Sequence, residues 1–77
     1  MTYSVLGMRI RALRRLKRMT QQELAEKLEL SASQLSNIER GVKGTTPELL
    51  EKIAKALDVP REEFFMLPDS KNQRMIV

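Results

Sequence analysis

Seventy-seven residues suffice for one domain, near the lower size limit at which an apolar core holds without staples. The chain has neither cysteine nor histidine, which excludes disulfides, thiolate sites, most zinc sites and every Ser-His-Asp or Cys-His dyad. The formal net charge of +4 is modest, yet Arg9, Arg11, Arg14, Arg15, Lys17 and Arg18 crowd the first quarter while the acids concentrate after Thr20, and a basic face suits a polyanion.

Only carboxylates and lysines remain for acid–base work, so an enzyme is disfavoured and no cofactor or metal is expected. The N-terminal MTYSVLGMRIRAL lacks an unbroken apolar stretch and meets arginines early, so neither a membrane span nor a signal peptide is expected. A cytoplasmic protein is the default. No separate effector or catalytic domain is expected within these 77 residues.

Leu6, Ile10, Leu13 and then Leu16 or Lys17 recur at helical spacing, which predicts a first helix from about Val5 to Arg18. Thr20-x-x-Glu23 is a capping box that opens a second, with Leu24, Ala25 and Leu28 on its buried side. Ser31-x-x-Gln34 is another capping box and opens a third helix. Leu35 and Ile38 are its apolar anchors, Leu30 precedes it, and Gly41 is its natural stop.

Thr46 and Pro47 open the fourth, whose missing proline N–H costs nothing in the first helical position. Leu49, Leu50, Ile53, Ala54 and Leu57 line it, and it ends before Val59-Pro60. Arg61 to Met66 reads as a short fifth helix offering Phe64, Phe65 and Leu67. No segment alternates with period two, so strands are not expected, except that the apolar end of the tail leaves that open there. None of these helices is long enough to persist alone, so a shared apolar centre must hold all five.

The break after Leu28 has a geometric consequence. Two helices joined by a short turn cross steeply, and the small side chain of Ala25 permits the approach. Leu35 and Ile38 then fix the third helix by one edge, and 100° per residue places Ser33, Ser36, Asn37 and Arg40 on the other side. A major groove about 12 Å wide accepts one such helix. From periodicity alone, a DNA-reading face and an ordinary solvent-facing surface are equally consistent with this pattern.

MTQQELAEKLELSASQLSNIERG resembles the helix-turn-helix of the phage Cro/repressor family, also called XRE-type regulators. LGMRIRALRRLKRMT resembles that family's first helix, and TTPELLEKIAKALDVPREEFF its fourth and fifth. The resemblance runs from about Leu6 to Phe65. It implies an all-α, compact five-helix lambda-repressor-like domain over residues 1–67, with residues 68–77 as a tail that is either disordered or paired across a dimer.

The implied activity is sequence-selective DNA binding by a transcriptional regulator, a repressor foremost. The double-stranded DNA would be read in the major groove by helix 31–40. The resemblance further implies that Gln21 grips a phosphate, in accord with the anion preference of a helix start. Ser31 caps the reading helix and touches phosphate, while Ala32, Ser33 and Asn37 match positions that face base edges. Asparagine pairs bidentately with adenine and alanine meets a thymine methyl.

Ser36 discriminates poorly, like Ser33, and Gln34 on the flank contacts phosphate or a base. Arg40 and Lys43 are candidates for backbone charge contacts, with solvated decoration as the alternative. Arg14 and Glu39 match positions that pair in some family members, a contact that would set the reading helix's angle. Most charges of the first helix lie behind the reading head, so Arg9 and Arg11 are expected to serve solubility.

One departure stands out. The family usually has glycine in the turn, and this chain has Glu29, which costs about 1–2 kcal/mol if the backbone there stays left-handed. A single domain reads few base pairs, so a homodimer is expected, with reading helices about 34 Å apart. Phe64, Phe65, Met66 and Leu67 are placed for a dimer patch, with closure of the core as the alternative for the two phenylalanines, and Met75-Ile76-Val77 either pair across the dimer or stay disordered. A restriction–modification controller falls within this class. The reading from a different class is a protein-interaction module on the same fold, such as an antitoxin or regulator partner, without operator binding.

Overall fold

Short polar side chains open three of the four α-helices among the described residues. The computed structural model describes residues 3–65, with side chains from Val5 onward. In chain order it has α1 (Tyr3–Leu16), α2 (Gln21–Lys27), α3 (Ala32–Glu39), α4 (Pro47–Leu57) and a 3-10 turn (Arg61–Phe65). Both expected capping boxes are formed. Thr20 Oγ1 accepts from the Glu23 amide at 3.0 Å while Glu23 Oε1 accepts from the Thr20 amide at 2.7 Å. Ser31 and Gln34 exchange the same two bonds at 3.0 and 2.8 Å. Thr46 Oγ1 accepts from the Leu49 amide, with Pro47 just inside the helix.

The helix ends share a device that the sequence hides. Arg18, Glu29, Gly41 and Asp58 follow the four helices, all with φ between 57° and 80°. At each exit the chain folds back on the last carbonyls. After α2, the Leu30 amide donates to Ala25 O at 2.8 Å and the Glu29 amide to Glu26 O at 3.1 Å. After α3, the Val42 amide donates to Asn37 O and the Gly41 amide to Ile38 O. This double bond pattern satisfies carbonyls that the helix leaves unpaired. Only one of the four left-handed residues is glycine, so the strain foreseen at Glu29 is present and recurs at Arg18 and Asp58.

Ile10, Leu24, Leu35, Ile53, Leu57 and Phe64 are the largest fully buried side chains. Each helix, and the final turn, sends at least one residue into that centre. The apolar stripe of α1 stops earlier than its spacing suggests: Leu16 is 74% exposed and Lys17 also faces solvent. The helix ends at Leu16, and the left-handed exit at Arg18 returns Met19 to the core in its place.

Where a fifth helix is expected over Arg61–Met66, the chain forms a 3-10 turn over Arg61–Phe65, so the described residues hold four α-helices. The Glu63 amide donates to Pro60 O at 3.0 Å, a three-residue closure, and the turn carries only Phe64 into the core. Phe65 remains half exposed. Met66, Leu67 and the tail, including Met75-Ile76-Val77, lie outside the described residues.

Candidate nucleic-acid interface

The position of α3 is set from behind by α1 and α2, its principal neighbours. Gly7 of α1 lies directly under its C-terminal end. A Cβ there would meet the carbonyl oxygens of Ile38 and Glu39, the latter at 2.6 Å. Glycine in a helix interior is disfavoured, so its presence here reflects a backbone approach that no other residue allows. Spacing arguments pass over such a residue because it has no side chain to contribute to a stripe.

Two turns along α1, Arg14 reaches the same end of α3. Its Nε donates to Glu39 Oε2 at 2.7 Å and its Nη2 to Glu39 Oε1 at 3.1 Å. Nη1 donates to Met19 O at 2.9 Å. Gln21 Nε2 also donates to Glu39 Oε1, at 3.1 Å. The carboxylate is 3% exposed and the arginine 8% exposed as whole residues, so both charges are withdrawn from water and neutralise each other. A planar guanidinium held by two parallel bonds has little freedom to rotate. One residue thereby joins α1, the turn before α2, and the end of α3.

With its back fixed, α3 turns Ser31, Ala32, Ser33 and Gln34 into solvent, and Arg40 and Lys43 beyond it. Ser36 and Asn37 are half-buried, so the outer face is less free at its centre than wheel arithmetic suggests. Asn37 Oδ1 accepts from Arg40 Nη2 at 2.9 Å. A guanidinium has no acceptor, so this contact turns the carbonyl oxygen toward Arg40 and leaves the amide N–H groups pointing elsewhere. Gln34 spends its side-chain oxygen on the Ser31 amide and keeps its NH2 group. All nine residues singled out along Gln21–Lys43 are at least partly accessible.

One arginine of α1, Arg9, departs from the expectation that it serves only solubility. Arg9 Nη1 donates to Glu63 O at 3.1 Å and ties α1 to the final turn. Arg11 borders a cleft of about 300 Å³ beside α3, together with Arg14, Arg15, Gln21, Ser36, Glu39 and Arg40. Which arginines of a basic helix face the neighbouring helix depends on the crossing geometry, a quantity that local spacing does not carry.

Comparison with known proteins agrees with this architecture. The family model described as helix-turn-helix matches residues 10–64, and the chain belongs to that family. It is 37% identical over 65 residues to the competence pilus inhibition repressor of Acinetobacter baylyi, covering 84% of this chain and 59% of that protein. It is 43% identical over 54 residues to the immunity repressor protein of Bacillus phage phi105, covering 70% of this chain and 38% of that one. The chain therefore spans less than two thirds of the length of either relative. Among solved structures, it superimposes on the restriction-modification controller protein C.AhdI from Aeromonas hydrophila with a TM-score of 0.78 at 33% identity, covering 82% of this chain and 96% of that one.

Proposed function

We propose that this chain is a sequence-selective, DNA-binding transcriptional regulator, a repressor that places α3 in the major groove. The observation that carries this reading is the asymmetry of α3. One side is clamped by Gly7, Arg14, Leu35, Ile38 and Glu39, and the other offers small or polar side chains to the solvent. A helix so held can enter a groove about 12 Å wide without rearranging its support. The names of its relatives, two repressors and a controller protein, favour the same reading.

Within it, Ala32, Ser33 and Asn37 meet base edges, and Ser36 lies beside them as a contact of low discrimination. The side chains of Gln21, Ser31 and Gln34 serve the flanking backbone. Arg40 and Lys43 supply charge to phosphates beyond the end of α3. The protein acts in the cytoplasm as a homodimer, because a single α3 spans too few base pairs for useful selectivity.

Titration of the protein onto short duplexes at several salt concentrations, with selection of bound duplexes from a random pool, tests this reading. A regulator shows affinity that falls steeply with salt, together with an enriched motif repeated about one helical turn apart. Weak binding with no enriched sequence would overturn it in favour of a protein-interaction module.

A further inference from the structure

The cleft between α1 and α3 adds two arginines of α1, Arg11 and Arg15, to Gln21, Ser36 and Arg40, which the reading above already places against DNA. Four guanidiniums, from Arg11, Arg14, Arg15 and Arg40, border it, against the single carboxylate of Glu39. Arg14 and Glu39 neutralise each other through their paired bonds, and Gln21 spends an N–H on the same carboxylate. The charges of Arg11, Arg15 and Arg40 are left over. All three are exposed, and Arg14–Glu39 is the one ion pair among the described residues. Arg40 gives one nitrogen to Asn37 and retains its other donors.

Like charges gathered around a concavity repel one another, and nothing in the fold needs them there. Arg11 and Arg15 lie one turn apart on α1, so their side chains share a face of that helix. Arg40 and Ser36 close the opposite wall from α3. The wall therefore offers several N–H donors converging from two helices, with a net positive field and the forked geometry that suits phosphate oxygens. The cleft also adjoins α3 itself, so a groove that takes the helix brings its own sugar-phosphate edge to this wall.

We propose that the cleft of Arg11, Arg15 and Arg40 is a seat for one backbone phosphate of the bound duplex. This rests on the DNA-binding reading above and adds α1 to the contact surface. The seat contributes affinity but reads no base. Arg14 acts as its floor, held in place by Glu39.

The test compares the parent protein with Arg11→Gln, Arg15→Gln and the double variant. The probes are a mixed-sequence duplex of about 20 base pairs and the duplex enriched from the random pool. Both residues are exposed, so thermal unfolding should be unchanged, which confirms that the variants fold. The double variant should bind both duplexes more weakly, on the order of tenfold at low salt. Its log–log salt slope should be shallower by about 0.9, the value for one lost phosphate. Its ratio of affinities for the two duplexes should stay at the parent value.

An unchanged slope and affinity in the double variant, with the parent still binding steeply with salt, would overturn the seat and leave the regulator reading standing. A change in the affinity ratio would overturn it too, because a phosphate contact carries no sequence information. Absence of salt-dependent duplex binding by the parent would instead remove the DNA-binding reading itself.

Discussion

Arg14 and Glu39, 25 residues apart in the chain, meet through two hydrogen bonds of 2.7 and 3.1 Å in a nearly dry contact between α1 and the end of α3. The contact fixes α3 against the scaffold at the end farthest from its N-cap. Desolvating two charges costs about as much as their attraction returns, so the pair's value lies in orientation more than in net stability. Its loss on one side alone is another matter.

Glu39→Gln leaves a buried guanidinium without its counter-charge and should destabilise the domain by about 3 kcal/mol. Arg14→Met combined with Glu39→Leu should recover most of that loss, since apolar replacement of both partners removes the uncompensated charge. Urea unfolding of the two variants measures this. A Glu39→Gln loss below about 1 kcal/mol would show that the pair does not hold α3.

Gly7→Ala sets two effects against each other. Alanine favours a helix over glycine by about 1 kcal/mol. The added Cβ, however, would press on the carbonyl oxygens of Ile38 and Glu39, which belong to backbone and cannot swing aside. Overpacking of this kind costs about 1–3 kcal/mol. The clash should win and lower the urea midpoint; a raised midpoint would mean that α1 and α3 separate freely.

Glu29→Gly relieves a left-handed residue of its side chain, at φ 60°. Stability should rise by about 1 kcal/mol, less whatever the more flexible unfolded chain gives back. For a domain of this size that appears as a melting temperature higher by roughly 4–8 °C. Glu29→Ala is the control: it keeps the Cβ and should show no such gain.

Asn37→Ala should cost about 1–3 kcal/mol at one base pair and relax the preference there. Lys43→Ala should weaken binding to every duplex alike. Competition between the selected duplex and its single-base variants distinguishes the two. Equal weakening of all sequences by Asn37→Ala would remove its role as a base reader.

Glu23 supplies a pH dependence of known sign. Its carboxyl is held below the usual value of 4.5, chiefly by the Thr20 amide that donates to it, then by the Thr20 hydroxyl. A carboxylate with a depressed folded pKa stabilises the protein above the unfolded value, and that contribution fades as pH falls through the folded pKa. The melting temperature of the parent should therefore drop more steeply below about pH 4.5 than that of Glu23→Gln. Parallel curves would show that the cap does not depend on the ionised form.

The chain by itself determined the helix starts and the position of the turn. Thr20 and Glu23, Ser31 and Gln34, or Thr46 and Leu49 lie within three residues of one another, and a bond that short needs no tertiary context. Resemblance to known helix-turn-helix regulators supplied the partnership of Arg14 with Glu39, which local spacing alone does not specify. Tertiary structure decided the rest. It sent Phe64 inward and left Phe65 half exposed, ended the apolar stripe of α1 before Leu16, and made Gly7 a contact point. It also divided the arginines of α1 between a tie to Glu63, a buried pair and an open cleft. Those outcomes turn on the angle and distance at which two helices cross, and residues far apart in the chain set both together.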